Sequence, residues 1–304
     1  MTLQQLRYVV CVAETKTISE AAQKMFISQP SLTAAIKELE QELNIKIFSR
    51  TNKGVQITTE GNEFLGYARQ VLEQVNLLSE RYCEEERKSA KFCVSCQHYS
   101  FAVNAFVDVI KKYGSDEYDF NLRETQTHEI IEDVALMKSE IGILYMTSKN
   151  EEIISTLLKK NKLDFTELFT TGLHIFISSH NPLAKKEKVS LKDLAPYPYL
   201  AFEQGDHNSL YFTEEPIPAV FLEQKKNISV RDRATLFNLL IGLNGFTISS
   251  GIIDEKLNGS SIISRPLESD EKMHIGYITK KNLVPSRYAV EFLDAIKKYL
   301  VSQK

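Results

Sequence analysis

Residues 1–60 repeat the apolar spacing of a surface helix three times and then break into a short hairpin, an order that few folds of that length accommodate. Leu3, Leu6, Val9, Val10 and Ala13 recur at steps of three and four, which gives a first helix one buried face. Thr17-Ile18-Ser19-Glu20 has the form of a capping box and starts a second helix. The small pair Ala21-Ala22 in that helix allows close approach, and Phe26-Ile27 is expected to supply apolar anchors for a tight turn. Ser28 is a suitable N-cap for a third helix, and Pro30 suits its first turn, where a missing amide hydrogen costs nothing. Leu32, Ile36, Leu39 and Leu43 form the inward stripe, and Asn44 fits a left-handed stop. Ile45 to Thr58 reads as a strand pair turning at Asn52-Lys53-Gly54.

Three helices with a tight turn before the third, followed by a wing, are the grammar of a winged helix-turn-helix. Its third helix presents Ser28, Gln29, Pro30, Ser31, Thr33 and Lys37 outward, with Ala34 among them. Gln pairs bidentately with adenine, hydroxyls serve bases or phosphates, and Arg50 and Lys53 on the wing are placed to reach phosphate or a minor groove. These eight residues are the expected contacts to double-stranded DNA. Over residues 1–60 seven lysines and arginines face six glutamates, and the whole chain of 304 residues carries a net charge of -3. Such a weak electrostatic grip makes dimerisation important. From Thr59, a candidate N-cap, a long helix runs toward Lys88 with Phe64, Ala68, Val71, Val75, Leu78 and Tyr82 at alternating steps of four and three, a heptad seam suited to a homodimer.

Leu6, Ser19-Glu20-Ala21-Ala22, Ser28-Gln29-Pro30-Ser31-Leu32-Thr33, Ile36-Lys37-Glu38-Leu39-Glu40, Phe48-Ser49-Arg50 and Thr58-Thr59-Glu60-Gly61 together resemble the DNA-binding region of LysR-type transcriptional regulators. Ala34 stands where that family often has arginine or another polar group, and Asn44 replaces its usual glycine.

Beyond the long helix the pattern alternates. Phe92 to Gln97, Tyr118 to Glu124 and Ile141 to Met146 read as strands, with helices at His98 to Lys112 and Thr127 to Met137 between them, which is the sequence of a parallel α/β sheet. Leu173 to Ser178, Tyr199 to Phe202, Ile228 to Val230 and Gly245 to Ser249 add strands for a second lobe. The expected division is 1–60 for the helix-turn-helix, 61–89 for the linker helix, 90–163 with 267–304 for lobe I, and 164–266 for lobe II. His180-Asn181-Pro182-Leu183-Ala184, Leu191-Lys192-Asp193-Leu194 and Gly245-Phe246-Thr247-Ile248 resemble the effector domain of the same family, which implies a two-lobed fold like a periplasmic binding protein and tetrameric assembly.

Ligands of open α/β sheets collect beyond the carboxyl ends of strands, where helix N-termini offer free amides to anions. That rule selects Gln97, His98, Tyr99, Ser100, Thr125, Thr127, Tyr145, Thr147, Phe202 and Glu203 as effector contacts. It points to a small anionic metabolite. The Gln97-His98-Tyr99 cluster is similar to that of Gram-positive members of the family that control sulfur amino acid genes, which implies an O-acetylserine-like amino acid derivative.

Other chemistries find less support. Cys93 and Cys96 form a C-x-x-C, but no second pair or nearby histidine spacing completes a metal site, so no metal or cofactor is expected. The sequence holds no nucleophile elbow, phosphate loop or zinc-protease motif, so no catalytic residues are assigned. No apolar run approaches the roughly 18 residues of a membrane span, and the N-terminus lacks the pattern of a signal peptide, which reads as a cytoplasmic protein. The alternative is a cytoplasmic small-molecule-binding module without a gene-regulatory role.

Overall fold

The computed structural model describes residues 1–51, 54–82, 90–113, 118–205, 211–216 and 226–302, and the chain divides into two compact units, one N-terminal and one built from most of the remainder.

In the N-terminal unit α1 (Leu3–Thr15), α2 (Ile18–Lys24) and α3 (Gln29–Leu43) surround a core of Val9, Val12, Ala21, Ala22, Leu32, Ile36 and Leu39. Each start is fixed by a hydroxyl that satisfies an otherwise orphaned amide. Thr2 forms a reciprocal box with Gln5, Thr17 accepts from Glu20 N, and Ser28 accepts from Ser31 N at 3.2 Å. Asn44 ends α3 in the left-handed region, at φ 52. The turn before α3 departs from expectation. Ile27 packs against the core, but Phe26 takes φ 54 and is 95% exposed, so the apolar anchor is Ile27 alone.

The wing pairs β1 (Phe48–Thr51) antiparallel with β2 (Gly54–Ile57). Its approach is set by Glu40, whose buried carboxylate accepts from Ile47 N at 2.8 Å and Phe48 N at 3.1 Å. Helix α4 (Thr59–Tyr82) follows, capped not by Thr59 but by Thr58, whose hydroxyl accepts from Gly61 N at 2.9 Å. A Cβ at Gly61 would stand 2.1 Å from the Ile47 carbonyl oxygen, so this contact of helix on wing admits only glycine. The apolar seam of α4 divides along its length: Ala68 is buried and Phe64 packs on the core, whereas Val71 and Leu78 are 43% and 61% exposed. Residues 83–89, including Cys83 and the charged run Glu84 to Lys88, lie outside the described residues.

The second unit holds two five-stranded sheets. One contains β3 (Ala90–Cys96), β4 (Tyr118–Glu124), β5 (Ile141–Met146), β6 (Leu163–Gly172) and β12 (Lys272–Lys280) in the order β4-β3-β5-β12-β6. The first three are mutually parallel, while β12 runs antiparallel to both β5 and β6. Helices α5 (Ser100–Tyr113), α6 (Thr127–Ala135), α7 (Glu151–Lys160) and α11 (Arg287–Ser302) accompany this sheet. Phe92, Phe106, Phe120, Tyr288 and Phe292 join β3, β4, α5 and α11 in an edge-and-stack aromatic core. Because β6 pairs along its whole length with β12, it belongs to this first lobe. The chain therefore crosses after Gly172, so lobe II starts nine residues later than the expected position 164.

The other sheet contains β7 (His174–Ser178), β8 (Tyr199–Phe202), β9 (Asn227–Val230), β10 (Phe246–Ser249) and β11 (Ile262–Pro266) in the order β11-β7-β10-β8-β9. Besides the short α8 (Leu191–Leu194) and α10 (Glu255–Asn258), it carries α9 (Arg233–Leu243), which starts on an Asp232 cap and packs Leu236 and Leu240 against Phe176, Leu200 and Val230. The strand ends of β3, β4, β5 and β8 bring the two lobes' polar loops together.

Candidate functional site

On the N-terminal unit, burial separates the two faces of α3. Leu32, Ile36 and Leu39 are buried, while Ser28, Gln29, Pro30, Ser31, Ala34 and Lys37 are exposed and Thr33 is half-buried. Thr33 donates its hydroxyl to the Gln29 carbonyl at 2.9 Å, and Ser19 of α2 donates to Gln29 Oε1 at 3.1 Å, so the glutamine is pre-positioned by the neighbouring helix. Arg50 lies on β1 opposite Val55, with its side chain outside the described residues, and Lys53 lies outside them altogether.

Between the lobes lie a small inner cavity and an open outer cleft. The inner one, about 30 Å³, is lined by His98, Tyr99, Ser100, Phe202, Arg233 and Thr247 with Glu214 and Glu215, and closed by apolar groups including Phe176, Leu236 and Ile248. The outer one, about 480 Å³, shares His98 and Glu214 and adds Thr125, Glu129, Glu203 and Arg231. The sequence rule therefore placed His98, Tyr99, Ser100, Thr125, Phe202 and Glu203 on one or other cavity.

The remaining four act behind them. Gln97 is buried, donates to Thr127 Oγ1 at 2.7 Å, and accepts from Tyr99 OH at 3.1 Å and Tyr145 N at 3.2 Å, which ties β3, β5 and α6 together. Thr127 gives its amide to Gln204 Oε1 of the other lobe at 3.1 Å, and Tyr145 gives its hydroxyl to the Thr213 carbonyl at 2.7 Å. Thr147 lies in a turn, its amide bonded to Asn150 Oδ1 and its hydroxyl accepting from Lys149 N. These are supports for the site and do not line it.

His98 is held on two sides. Its Nδ1 stands 2.8 Å from Glu214 Oε2, its backbone amide donates to the same carboxylate at 3.1 Å, and its ring stacks flat on Phe202 with centroids 3.7 Å apart. Burial pulls the imidazole pKa down, but the Glu214 charge and hydrogen bond outweigh it and leave the group above its ordinary value. A second bridge between lobes joins Arg233 at the start of α9 to Glu124 at the end of β4. Glu215 is 1% exposed, and burial together with the neighbouring Glu214 pushes its carboxyl well above the usual carboxylate range. Sequence reasoning missed Glu214, Glu215, Arg233 and Thr247 as site residues. The pair Glu214-Glu215 lies in a stretch with no helical or strand period, and Thr247 reads only as part of a strand.

Two buried carboxyls line the inner cavity. Glu214 is paired with His98, and Glu215 holds its proton above the ordinary carboxylate range. Cys93 and Cys96 also resolve simply: three positions apart on β3, their side chains fall on opposite faces, and burial raises both thiols above their ordinary pKa. Among the described residues no group of three His, Cys, Asp or Glu side chains could hold a metal ion, and no helix is long and apolar enough to cross a membrane.

A winged helix-turn-helix joined to a two-lobed domain with a polar cavity between its sheets defines a DNA-binding regulator with an effector domain. Residues 3–62 match the model of the bacterial regulatory helix-turn-helix proteins of the lysR family, and residues 100–301 match the LysR substrate binding domain. The chain belongs to the LysR family of transcriptional regulators. It is 28% identical over 212 residues to the uncharacterized regulator YnfL of Escherichia coli, covering 69% of this chain and 68% of that one. It is 26% identical over 208 residues to the hydrogen peroxide-inducible genes activator of Pectobacterium carotovorum, covering 67% of this chain and 65% of that one, so the alignments span about two thirds of these relatives. In fold it is similar to a full-length OxyR variant from Pseudomonas aeruginosa, at a TM-score of 0.66 and 19% identity over 98% of each chain.

Proposed function

We propose that this protein binds double-stranded operator DNA through the N-terminal end of α3 and the β1–β2 wing, as a homodimer joined by α4 and paired into tetramers, and that a small effector held between the lobes sets its activity. The observation that carries the DNA reading is the split of α3: an apolar face buried beneath an outer face that exposes Gln29, Ser31 and Lys37. Operator recognition places the protein in the cytoplasm. The exposed Val71 and Leu78 on α4 support the dimer, because an apolar stripe of that kind is stable only when covered.

The two-lobed domain acts by binding and not by turnover in this reading, since the imidazole nearest the cavity is committed to Glu214 and Phe202. Control of sulfur amino acid genes by an O-acetylserine-like derivative is its most specific form, and such a molecule carries an ammonium as well as a carboxylate. Peroxide sensing, suggested by the name of one relative, finds no support in Cys93 and Cys96, which face apart with raised pKa values.

Gel shifts with DNA from upstream of the protein's own gene test the reading, with light scattering on Val75→Glu beside the wild type. Retarded specific DNA, and a smaller oligomer for a folded Val75→Glu protein, are expected. No preference for that DNA over a scrambled sequence would leave the binding-module alternative. An unchanged oligomer in the variant would remove α4 as the main interface.

A further inference from the structure

Three polar atoms converge on the inner cavity without a hydrogen-bond partner among the described residues: Glu215 Oε2, Ser100 Oγ and Thr247 Oγ1. Their residues are 1%, 6% and 3% exposed. Buried polar atoms are nearly always paired, so three orphans on one cavity wall describe a polar guest; the two hydroxyls can donate or accept, and the Glu215 carboxylate, once ionised, calls for a donor. We propose that this cavity receives the protonated amine of an organic effector, with the ammonium seated among Glu215, Ser100 and Thr247. This rests on the reading of the inter-lobe cavity as the effector site.

An accounting of the charges supports a cation. Around the cavity Glu214 is matched by His98 and Arg233 by Glu124, which leaves Glu215 with no basic partner among the described residues. Its Oε1 accepts from Phe202 N at 3.0 Å, so the free lobe of the carboxylate is Oε2, the atom that meets the cavity. Arg233 keeps one orphan, Nε, but its guanidinium is already paired, and an anion there would still lie beside Glu214 and Glu215. An ammonium offers three donors and no acceptor, the complement of one carboxylate and two hydroxyls. The volume agrees: about 30 Å³ holds one or two water-sized groups, which suits an ammonium head and excludes a larger body.

The rest of such a molecule has somewhere to lie. The outer cleft of about 480 Å³ opens from the same His98 and Glu214, and its described lining is rich in carboxylates, with Glu124, Glu203 and Glu214 paired to Arg233, Arg231 and His98 and with Glu129 and Glu132 beside them. A cleft of that sign concentrates cations at its mouth. It also favours a second positive charge on the ligand, as in an aliphatic diamine. A proton accompanies the exchange. The Glu215 carboxyl, with Glu214, Tyr99, Tyr145 and Tyr199 as its titratable neighbours, holds its proton above the ordinary carboxylate range, and an arriving ammonium favours the ionised form and expels it. Amine affinity should therefore rise with pH between the ordinary glutamate range and the raised value of Glu215, whereas affinity for an acid would fall over the same window.

The test is calorimetry and thermal unfolding of the full chain with a matched four-carbon set, 1,4-diaminobutane, butane-1,4-diol and succinate, together with spermidine. The amines should raise the melting temperature and the diol and succinate should not. Glu215→Gln, which keeps an acceptor for Phe202 N, and Thr247→Val should each weaken amine binding about ten- to hundred-fold. Amine binding that is equal in wild type and both variants overturns the assignment of the cation to this cavity. Stabilisation by succinate and not by amines, lost in Ser100→Ala and Thr247→Val, overturns the cation while the effector site stands. If no compound produces a shift sensitive to any of these variants, both fall together.

Discussion

Helix α3 of the N-terminal unit and helix α5 of the two-lobed domain both take a serine at their start, yet the hydroxyls are used in opposite ways. Ser28 is exposed and accepts from the Ser31 amide, closing its own helix end. Ser100 is buried, lies in the first turn of α5 and has no partner in the protein. The first is complete without any other molecule, so α3 presents a finished surface to a rigid target. The second is left open at a cavity, so α5 ends in a place that a ligand must complete. The same contrast separates the units more widely: one is determined by local backbone contacts, the other by groups that meet only after the lobes assemble.

The hardest blow to that distinction would come at Gly61. Gly61→Ala forces a methyl against the Ile47 carbonyl oxygen, and overpacking against backbone should cost roughly 3 kcal/mol. Thermal unfolding should show a clear loss, and a variant as stable as the wild type would mean that the junction of wing and α4 is not backbone-determined. Next in size, Gln29→Ala should weaken operator binding by about 1 to 3 kcal/mol and leave scrambled DNA nearly unaffected. Equal weakening on both in gel shifts would place Gln29 on phosphate. Ser28→Ala should lower stability by about 1 kcal/mol as an N-cap is lost. Ser100→Ala sharpens the comparison from the other side. With no bond to lose, its stability should change by less than about 0.5 kcal/mol, and effector affinity should fall instead. A melting temperature as depressed as that of Ser28→Ala, with effector affinity intact, would make Ser100 an ordinary cap.

The helix-turn-helix was legible because its determinants are local. Thr17, Ser28, Pro30 and Asn44 act within four residues of the backbone groups they satisfy or replace. Phe26 misleads because its apolar character suggests burial, although a left-handed turn residue has its side chain directed by φ. Strand β6 falls in the wrong lobe on sequence for a different reason: its partner β12 lies about a hundred residues away, and no period within Leu163–Gly172 reports it. At the cleft, the strand-end rule named loops that line the two cavities but could not separate liners from supports. Gln97 and Thr127 are as polar as Ser100, and only the 2.7 Å bond between them shows that they satisfy each other. Glu214 holds His98 and Glu215 is a buried carboxyl on the cavity wall, yet both sit in a stretch that reads as plain loop.

The bridges across the cleft bear on protein engineering. Arg233 meets Glu124, Glu214 meets His98, and Gln204 meets the Thr127 amide, each joining residues about 75 to 115 positions apart. A chimera that grafts one lobe from a relative onto the other would separate every one of these couples, leaving a half-buried Glu124 or a buried Glu214 without the counterpart lost with the replaced lobe. A biosensor with exchanged specificity should therefore be recombined by couples, with the segments around 98, 124 and 127 transferred together with those around 204, 214 and 233.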